Sequence, residues 1–180
     1  RPLTPVNLGD LVAKVVADQL PLAEARQIDL GVTPAARALT VSGDAEALHI
    51  LVSNLVGNAI RYTPPGGKVD VAVGDDAVGA FVEVNDSGPG IPVEERARVF
   101  DRFYRRAQTD EPGSGLGLAI VRTIAERHRA SVLLDVADLG GLRARVRFAG
   151  SAASWKTRAE DVSIVTASSI VSDVPAISGD

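Results

Sequence analysis

The sequence predicts a two-layer α/β sandwich with a mixed, mostly antiparallel sheet and helices packed on one of its faces. Segments with a helical period are separated by pairs of short strands, and not by the single strands of a doubly wound fold. Hydrophobic residues make up 46% of the 180 residues, whereas aromatic residues make up only 4%. We therefore expect one core of aliphatic side chains, large enough for a single domain.

Hydrophobic period and the positions of Gly and Pro place the individual elements. After an extended start, the predicted helices cover residues 8–26, 44–62 and 116–128, with one or two helical turns within 93–100. The predicted strands cover residues 28–32, 39–42, 68–73, 78–84, 131–136 and 142–148. Pro21 lies inside the first helix and is expected to kink it or end it early.

The composition of the chain changes near its end. Residues 1–150 are expected to form the domain, whereas residues 151–180 are dominated by Ser, Ala, Val and Asp. We expect the latter to be a mobile tail, although the Ile-Val pairs at 164–165 and 170–171 would also suit a strand.

Charge and composition exclude several classes of protein. The formal net charge is −4 at pH 7, so there is no general attraction to nucleic acid or to anionic lipid. The chain has no cysteine, which rules out disulfides and thiolate metal sites. No apolar run approaches the roughly 18 residues of a membrane-spanning helix, and we expect no direct membrane contact. Because the chain starts at Arg1, we expect a fragment of a longer protein.

The predicted helix at 44–62 carries a polar stripe. Asn54, Asn58 and Arg61 are spaced by four and three residues, which brings their side chains onto one face. An amide oxygen suits Mg²⁺, and the side chains of the stripe can also donate hydrogen bonds to phosphate. The same stripe would fit a solvated helix face, and the spacing alone leaves both interpretations open.

A loop rich in Gly and Pro, residues 86–91, follows directly after a predicted strand. The carboxylate of Asp86 only accepts hydrogen bonds, so it can receive the exocyclic amine of adenine, whereas guanine has a carbonyl at that ring position. Gly88 and Gly90 would let the backbone pass close to a flat ring. A turn that binds no ligand would have the same composition.

A second glycine-rich segment, at 113–118, leads into the third predicted helix. Glycines before a helix N-terminus expose amide N–H groups, and the helix dipole adds positive potential, so this segment would suit phosphate. A flexible hinge is the alternative interpretation of this segment.

A pair of aromatic residues lies between the two glycine-rich loops. Phe100 and Phe103 would anchor a mobile loop from which Arg105 or Arg106 reaches the phosphates. The alternative is that the two phenylalanines are small hydrophobic anchors under an ordinary loop.

The order and spacing of these four elements resemble the N, G1, F and G2 boxes of histidine kinases in the GHKL ATPase superfamily. The resemblance covers roughly residues 6–149. It implies a Bergerat fold that binds ATP and Mg²⁺, with a mobile ATP lid near residues 101–115. By this resemblance Asn58 is the Mg²⁺ ligand, Asp86 accepts from adenine, and Arg61 and Arg105 contact phosphate. Arg61 stands where Lys is commonest, which keeps the charge and changes the contact geometry.

The resemblance also implies a full set of site residues. The catalytic residues would be Asn58, Arg61 and Arg105. The cofactor-binding residues would be Asn54, Asn58, Tyr62, Asp86, Gly88, Gly90, Ile91, Phe103, Gly113, Ser114, Gly115, Leu116, Gly117 and Leu118.

Asn54 indicates the branch of the superfamily. Hydrolytic relatives carry a Glu four residues before the metal-binding Asn, where it activates water. Asn54 cannot take a proton at neutral pH, and no proton acceptor is needed if the phosphoryl group goes to the lone pair of a histidine nitrogen. The resemblance therefore implies phosphoryl transfer to a histidine. A nucleotide-sensing module without kinase activity and a slow ATPase are the alternatives.

Neither of the two histidines fits the family's phosphoacceptor pattern, in which an acidic residue follows the histidine directly. His49 precedes Ile50, and His128 precedes Arg129. We expect His49 to be a structural helix residue and His128 a C-terminal helix residue favoured by the dipole. The acceptor would lie on a dimerisation and histidine-phosphotransfer domain before Arg1 of the same protein, with a cognate response regulator as a further partner. The resemblance implies a cytoplasmic location for this domain and a membrane anchor elsewhere in the parent protein.

Overall fold

The computed structural model describes residues 1–105 and 117–150. Its helices are α1 (Leu8–Ala25), α2 (Ala45–Tyr62) and α3 (Gly117–Arg127), with two short 3-10 turns at Val93–Glu95 and Arg98–Phe100. Its strands are β1 (Thr4–Asn7), β2 (Asp29–Thr33), β3 (Thr40–Gly43), β4 (Lys68–Asp75), β5 (Ala80–Asp86), β6 (Ala130–Val136) and β7 (Leu142–Phe148). The predictions for residues 106–116, which include most of the expected lid, and for the tail at 151–180 lie outside the described residues.

The described strands form two sheets. The main sheet has five strands in the order β2-β4-β5-β7-β6, and only its β2–β4 pair is parallel. β1 and β3 form a separate antiparallel pair, in which Val6 lies opposite Val41. The prediction of a mixed, mostly antiparallel sheet is confirmed. β1 is predicted only as an extended start, because a strand of four residues that contains Pro5 shows no usable alternation.

The helices cover one face of the main sheet. α2 contacts both α1 and α3, and it also contacts β4 and β5. The side of α2 that faces the core is apolar and buried: Leu48, Leu51, Val52, Leu55, Val56, Ala59 and Ile60. None of the described helices combines the length and the apolar character that a membrane crossing requires. The core is aliphatic, as the composition predicts, and the helical period places the residues of α2 within it correctly.

The other face of the main sheet is charged. Along β7, outward arginines alternate with inward residues that are buried and apolar: Arg143, Ala144, Arg145, Val146, Arg147 and Phe148. Arg145 Nε donates to Glu83 Oε2 at 2.6 Å, and its guanidinium lies 4.0 Å from the centre of the Phe81 ring. Arg147 Nη2 donates to Asp76 Oδ2 at 2.6 Å. This face carries paired charges, and the fold has two layers, as predicted.

Pro21 does not end α1. The helix continues to Ala25, and Ala23 is buried in its last turn. A proline removes one backbone hydrogen bond and crowds the preceding turn. The packing of the last turn against the core outweighs that loss, so the early end suggested by Pro21 is wrong.

Candidate functional site

A cavity lies between α2, the start of α3 and the inward face of β5 and β7. The polar stripe of α2 forms one wall, since Asn54, Asn58 and Arg61 all line the cavity together with Tyr62. Asp86, the last residue of β5, lies in the wall formed by the sheet. The remaining lining residues are Leu55, Ala59, Val84, Pro89, Gly90, Ile91, Val99, Tyr104, Arg105, Gly117, Leu118, Leu142 and Ala144.

Most of the site residues expected from the sequence meet in this one cavity. Of those in the described part of the chain, Gly88 and Phe103 are absent from the lining. The remaining expected residues lie outside the described residues: Arg106, Gly113, Ser114, Gly115 and Leu116. The glycine-rich phosphate loop is therefore still a prediction, apart from Gly117 and Leu118 at its end.

Asp86 is a buried carboxylate with one oxygen engaged. Its Oδ1 accepts hydrogen bonds from the backbone N–H of Gly88 at 2.9 Å and of Leu142 at 3.0 Å. Burial raises the pKa of the Asp86 carboxyl above its usual range, and the two hydrogen bonds offset only part of that effect. Within the described residues Oδ2 accepts no hydrogen bond, so this oxygen is available to a ligand that donates one.

An apolar slot surrounds Asp86. Its walls come from α2, from the two inner strands of the sheet and from the loop after β5: Leu55, Ala59, Val84, Ile91, Leu142 and Ala144. A flat aromatic ring with an amine on its edge fits such a slot, because the ring is desolvated and the amine meets a buried acceptor. Leu142 and Ala144 belong to none of the motifs that were identified from the sequence. The alternation of β7 would have placed Ala144 on the inward face, whereas its position opposite Val84 depends on the register of the sheet.

The two asparagines of α2 lie against the first residue of α3. Asn54 Nδ2 donates to the backbone carbonyl of Ile50 at 2.8 Å, which orients its Oδ1 away from that carbonyl. A Cβ at position 117 would lie 3.1 Å from Asn54 Oδ1 and 3.5 Å from Asn58 Nδ2. Gly117 therefore keeps the space in front of these amides open. Asn58 makes no hydrogen bond to other described residues, so both ends of its amide can meet a ligand.

The residues at this end of the cavity fit a divalent cation only together with a ligand. Among residues 1–105 and 117–150, no group of three or more His, Cys, Asp or Glu side chains is placed to hold a metal. The amide oxygen of Asn58 is a suitable hard ligand, and Mg²⁺ takes most of its remaining ligands from phosphate and water. Arg61 and Arg105 add two positive charges to the cavity lining.

Tyr104, and not Phe103, lies in the cavity wall. Phe103 has a left-handed backbone conformation with φ of 63°, and 71% of the residue is exposed. The hydroxyl of Tyr104 donates to Glu95 Oε2 at 3.2 Å, and the guanidinium of Arg98 lies 5.2 Å from the centre of its ring. The aromatic pair was expected to include Phe103 because of its spacing from Phe100. Sequence patterns do not reveal the left-handed backbone at Phe103, and in the structure the neighbouring Tyr104 lines the cavity instead.

Gly88 shapes the cavity without lining it. Its N–H holds Asp86 Oδ1, and a Cβ at this position would lie 3.1 Å from the carbonyl oxygen of Tyr62. Gly90 has φ of 71°, a conformation that favours glycine, and it lies in the lining. Both glycines thus serve the close passage of the loop that their sequence pattern predicts.

Neither histidine lines the cavity. His128 is buried, with Nε2 3.0 Å from the backbone N of Asp44 and Nδ1 2.7 Å from the carbonyl oxygen of Ile124. His49 Nε2 lies 3.2 Å from Asp18 Oδ2, and its Nδ1 is buried without a hydrogen-bond partner among the described residues. Both histidines are structural residues of helices or of helix ends, as expected.

The chain matches the family model for histidine kinase-, DNA gyrase B- and HSP90-like ATPases over residues 43–151. The sensor protein kinase PmrB of Pseudomonas aeruginosa is 42% identical over 129 residues, which cover 71% of this chain and 27% of PmrB. The chain therefore spans less than a third of the length of this curated relative.

Solved structures agree with this match. The ATP-binding domain of PrrB from Mycobacterium tuberculosis superposes with a TM-score of 0.69 at 26% identity, over 84% of this chain and all of that domain. The histidine kinase ThkA, solved in complex with the response regulator protein TrrA, superposes with a TM-score of 0.70 at 25% identity, over 83% of this chain and 42% of ThkA. The chain belongs to the histidine kinase-, DNA gyrase B- and HSP90-like ATPase family, and within it to the catalytic domains of sensor histidine kinases.

Proposed function

We propose that this domain binds Mg-ATP in the cavity between α2 and the sheet and transfers the γ-phosphoryl group to a histidine on a separate domain. The observation that carries the proposal is the position of Asp86. A buried carboxylate with one unengaged oxygen lies at the apolar end of a cavity whose other end has amides and two arginines. That distribution of polar groups matches the two chemically different ends of ATP.

At the apolar end, the proposed ligand is adenine rather than guanine. An acceptor with Oδ2 unengaged would receive the exocyclic amine of adenine, whereas the carbonyl of guanine would face it with a second acceptor. A buried acceptor without a donor is costly, which makes this contact selective. The aliphatic walls from Leu55, Val84 and Ala144 would bury the ring.

At the polar end, Asn58 would complete the coordination of Mg²⁺ while Arg61 and Arg105 hold phosphate oxygens. The bound ion would neutralise charge that develops on the transferring group. The domain carries net negative charge, so attraction of the triphosphate must come from these local groups and not from the surface as a whole. We further propose that residues 113–116, next to the start of α3, add backbone N–H contacts to the phosphates.

Transfer is favoured over hydrolysis by the ionisable groups of the cavity. Asp86 is the only carboxylate among the lining residues in the described part of the chain, and it lies at the apolar end. Asn54, on the polar wall, cannot act as a base. Among the residues that the structure describes, none beside the phosphates would deprotonate water, whereas a neutral imidazole nitrogen attacks with its own lone pair and needs no base.

The acceptor would come from another part of the protein. The chain contains two histidines, and neither is among the residues that line the cavity. We propose as acceptor a dimerisation and histidine-phosphotransfer domain of the same protein, which then passes the group to a cognate response regulator. The complex of the similar kinase ThkA with a response regulator supports a response regulator as one of the partners. A cytoplasmic location would follow from the need for cellular ATP.

Calorimetry with ATP and GTP in the presence of Mg²⁺ tests the binding part of the proposal. We expect ATP to bind at least about 100-fold more tightly than GTP, because the wrong base leaves Asp86 facing a second acceptor. Equal affinities for the two nucleotides would contradict the assignment of the adenine site.

A further inference from the structure

We propose that Gly141, in the turn between β6 and β7, is a positioning residue that sets the base selectivity of the nucleotide site. The turn holds the carboxylate of Asp86 by its Oδ1, so that Oδ2 meets the adenine amine. Sequence motifs do not include this turn, which lies 55 residues after Asp86 in the chain and more than 20 after the second glycine-rich loop. The inference rests on the proposed function, since it concerns how the same site selects its base.

Two successive N–H groups of the turn bind Asp86. Gly141 N donates to the backbone carbonyl of Asp86 at 3.0 Å, and Leu142 N donates to its Oδ1 at 3.0 Å. The turn is itself closed by hydrogen bonds, because Ala137 N donates to the carbonyl of Gly141 at 2.8 Å and Gly140 N to that of Ala137 at 2.9 Å. The donors therefore have a fixed position, and the carboxylate they hold cannot rotate without losing a hydrogen bond.

Position 141 has no room for a side chain. A Cβ there would overlap Asp86 Oδ1, and it would lie 2.5 Å from the carbonyl oxygen of Asp86 and 2.6 Å from the N of Gly88. Two of these three atoms belong to the backbone, and the third is held by two hydrogen bonds. None can yield as the free end of a long side chain would. Glycine is required by this close approach, and a larger residue must displace Asp86.

The loop after β5 also packs against the turn. A Cβ at Gly90 would lie 3.5 Å from the carbonyl group of Gly141, so the two loops are in van der Waals range of each other. Displacing the turn would move both the acceptor and the glycine loop beside it. Asn58 and Arg61, which are proposed to face the metal and the phosphates, lie on α2 and would stay in place. The consequence of a change at position 141 is therefore confined to the base end of the cavity.

The experiment measures binding to Mg-ATP, Mg-GTP and Mg-tripolyphosphate by calorimetry for wild-type protein and for Gly141→Ala. We expect Gly141→Ala to bind ATP at least about tenfold more weakly and to lose most of the preference over GTP. Tripolyphosphate, which has no base, should bind within about twofold of wild type. A matched control is Gly31→Ala, also a glycine beside an aspartate, where a Cβ would lie at an ordinary 3.7 Å from Asp70 Oδ1; it should leave all three affinities unchanged.

A double variant tests whether the effect passes through Asp86. If Gly141 acts by holding the carboxylate, then Gly141→Ala should weaken ATP binding much less in the Asp86→Ala protein than in wild type. Full additivity would overturn the inference. Unchanged ATP affinity in Gly141→Ala, or equal losses of ATP and tripolyphosphate affinity, would overturn it as well. Wild-type protein that binds tripolyphosphate but does not prefer ATP to GTP would instead remove the proposed adenine site, and this inference with it.

A second measurement applies if Gly141→Ala does not fold. Amide hydrogen exchange in nucleotide-free wild type should be slow at Gly88 and Leu142, the two donors to Asp86 Oδ1. In Asp86→Ala these two amides should exchange at least about tenfold faster, while those of α2 stay protected. Equal exchange of Leu142 in both proteins would overturn the inference.

Discussion

His128 at the end of α3 receives a hydrogen bond from the backbone N–H of Asp44, the residue that caps α2, at 3.0 Å. Because a donor faces Nε2, the proton of the neutral ring is on Nδ1, which donates to the carbonyl oxygen of Ile124 at 2.7 Å. The imidazole thus joins the last turn of one helix to the first turn of the other. The sequence suggests a charge–dipole contact for His128, whereas in the structure both ring nitrogens lie within hydrogen-bond distance of backbone groups.

Replacing His128 should therefore reduce stability without changing the site. His128→Phe keeps a ring but leaves the Asp44 N–H without its acceptor, whereas the Ile124 carbonyl keeps the hydrogen bond from the backbone N–H of residue 128. We therefore expect a loss of about 1–3 kcal/mol in the free energy of unfolding. Urea denaturation followed by circular dichroism measures it. His49→Gln is the control, since the contact of His49 Nε2 with the largely exposed Asp18 is worth about 1 kcal/mol or less. Equal losses for the two variants would contradict the role of His128.

Asp86→Asn should separate stability from binding. The asparagine keeps an oxygen for the N–H groups of Gly88 and Leu142 and removes a buried charge, so the nucleotide-free variant should melt at the same temperature as wild type or higher. Its amide NH₂ would face the adenine amine, and ATP affinity should fall at least about tenfold. Asp138→Asn, at an exposed aspartate, is the control for both measurements. Tight ATP binding by Asp86→Asn would argue against the acceptor role.

The pH dependence of stability provides an independent check on Asp86. Burial raises its pKa in the folded protein above the usual 3.8, so the folded state holds the proton more tightly than the unfolded state. Its contribution to stability is fully present below pH 3.8 and is lost as the pH rises through the folded pKa. The unfolding free energy of wild type minus that of Asp86→Asn should accordingly decrease across this window. Asp76, whose pKa is lowered chiefly by the hydrogen bond from Val78 N–H, titrates in both proteins and cancels from the difference. A difference that is constant or increases with pH would be inconsistent with a buried, desolvated Asp86.

Asn58→Ala should weaken binding only where the metal takes part. We expect Mg-ATP affinity to fall about tenfold or more, and the affinity for ATP without Mg²⁺ to change little, because the amide oxygen serves the ion. Asn58 makes no hydrogen bond to other described residues, so stability should remain near that of wild type. Asn85→Ala, on the charged outer face of the sheet, is the control. Equal losses with and without Mg²⁺ would assign Asn58 to direct phosphate contact instead.

Tyr104 should matter more to the nucleotide than Phe103. Tyr104→Ala removes a wall of the cavity, and we expect ATP affinity to fall roughly fivefold to tenfold. Phe103→Ala alters a largely exposed side chain and should stay within about twofold of wild type. Calorimetry on both variants compares them directly. A larger loss for Phe103→Ala would restore the assignment suggested by the sequence motif.

Local patterns predict those parts of the molecule that local physics determines. The stripe of Asn54, Asn58 and Arg61 follows from the period of a helix, and the loop after β5 follows from the conformational freedom of its glycines. Contacts between segments that are distant in the sequence cannot be predicted from such local patterns. Leu142 and Gly141 reach Asp86 only through the register of β5 with β7, and the backbone of Phe103 departs from the conformation that its residue type favours. Two adjacent glycines are all that the sequence shows of the turn after β6, and the packing of Gly141 against Asp86 depends on the folded sheet.

The most direct test of the account is phosphoryl transfer to a separate acceptor. The domain is mixed with the dimerisation and histidine-phosphotransfer domain of its parent protein and with γ-labelled Mg-ATP, and the label on each polypeptide is measured. We predict acid-labile label on the acceptor, none when the acceptor histidine is replaced by alanine, none on this chain, and little free phosphate in the absence of the acceptor. Label on His49 or His128, or rapid phosphate release by the domain alone, would contradict it.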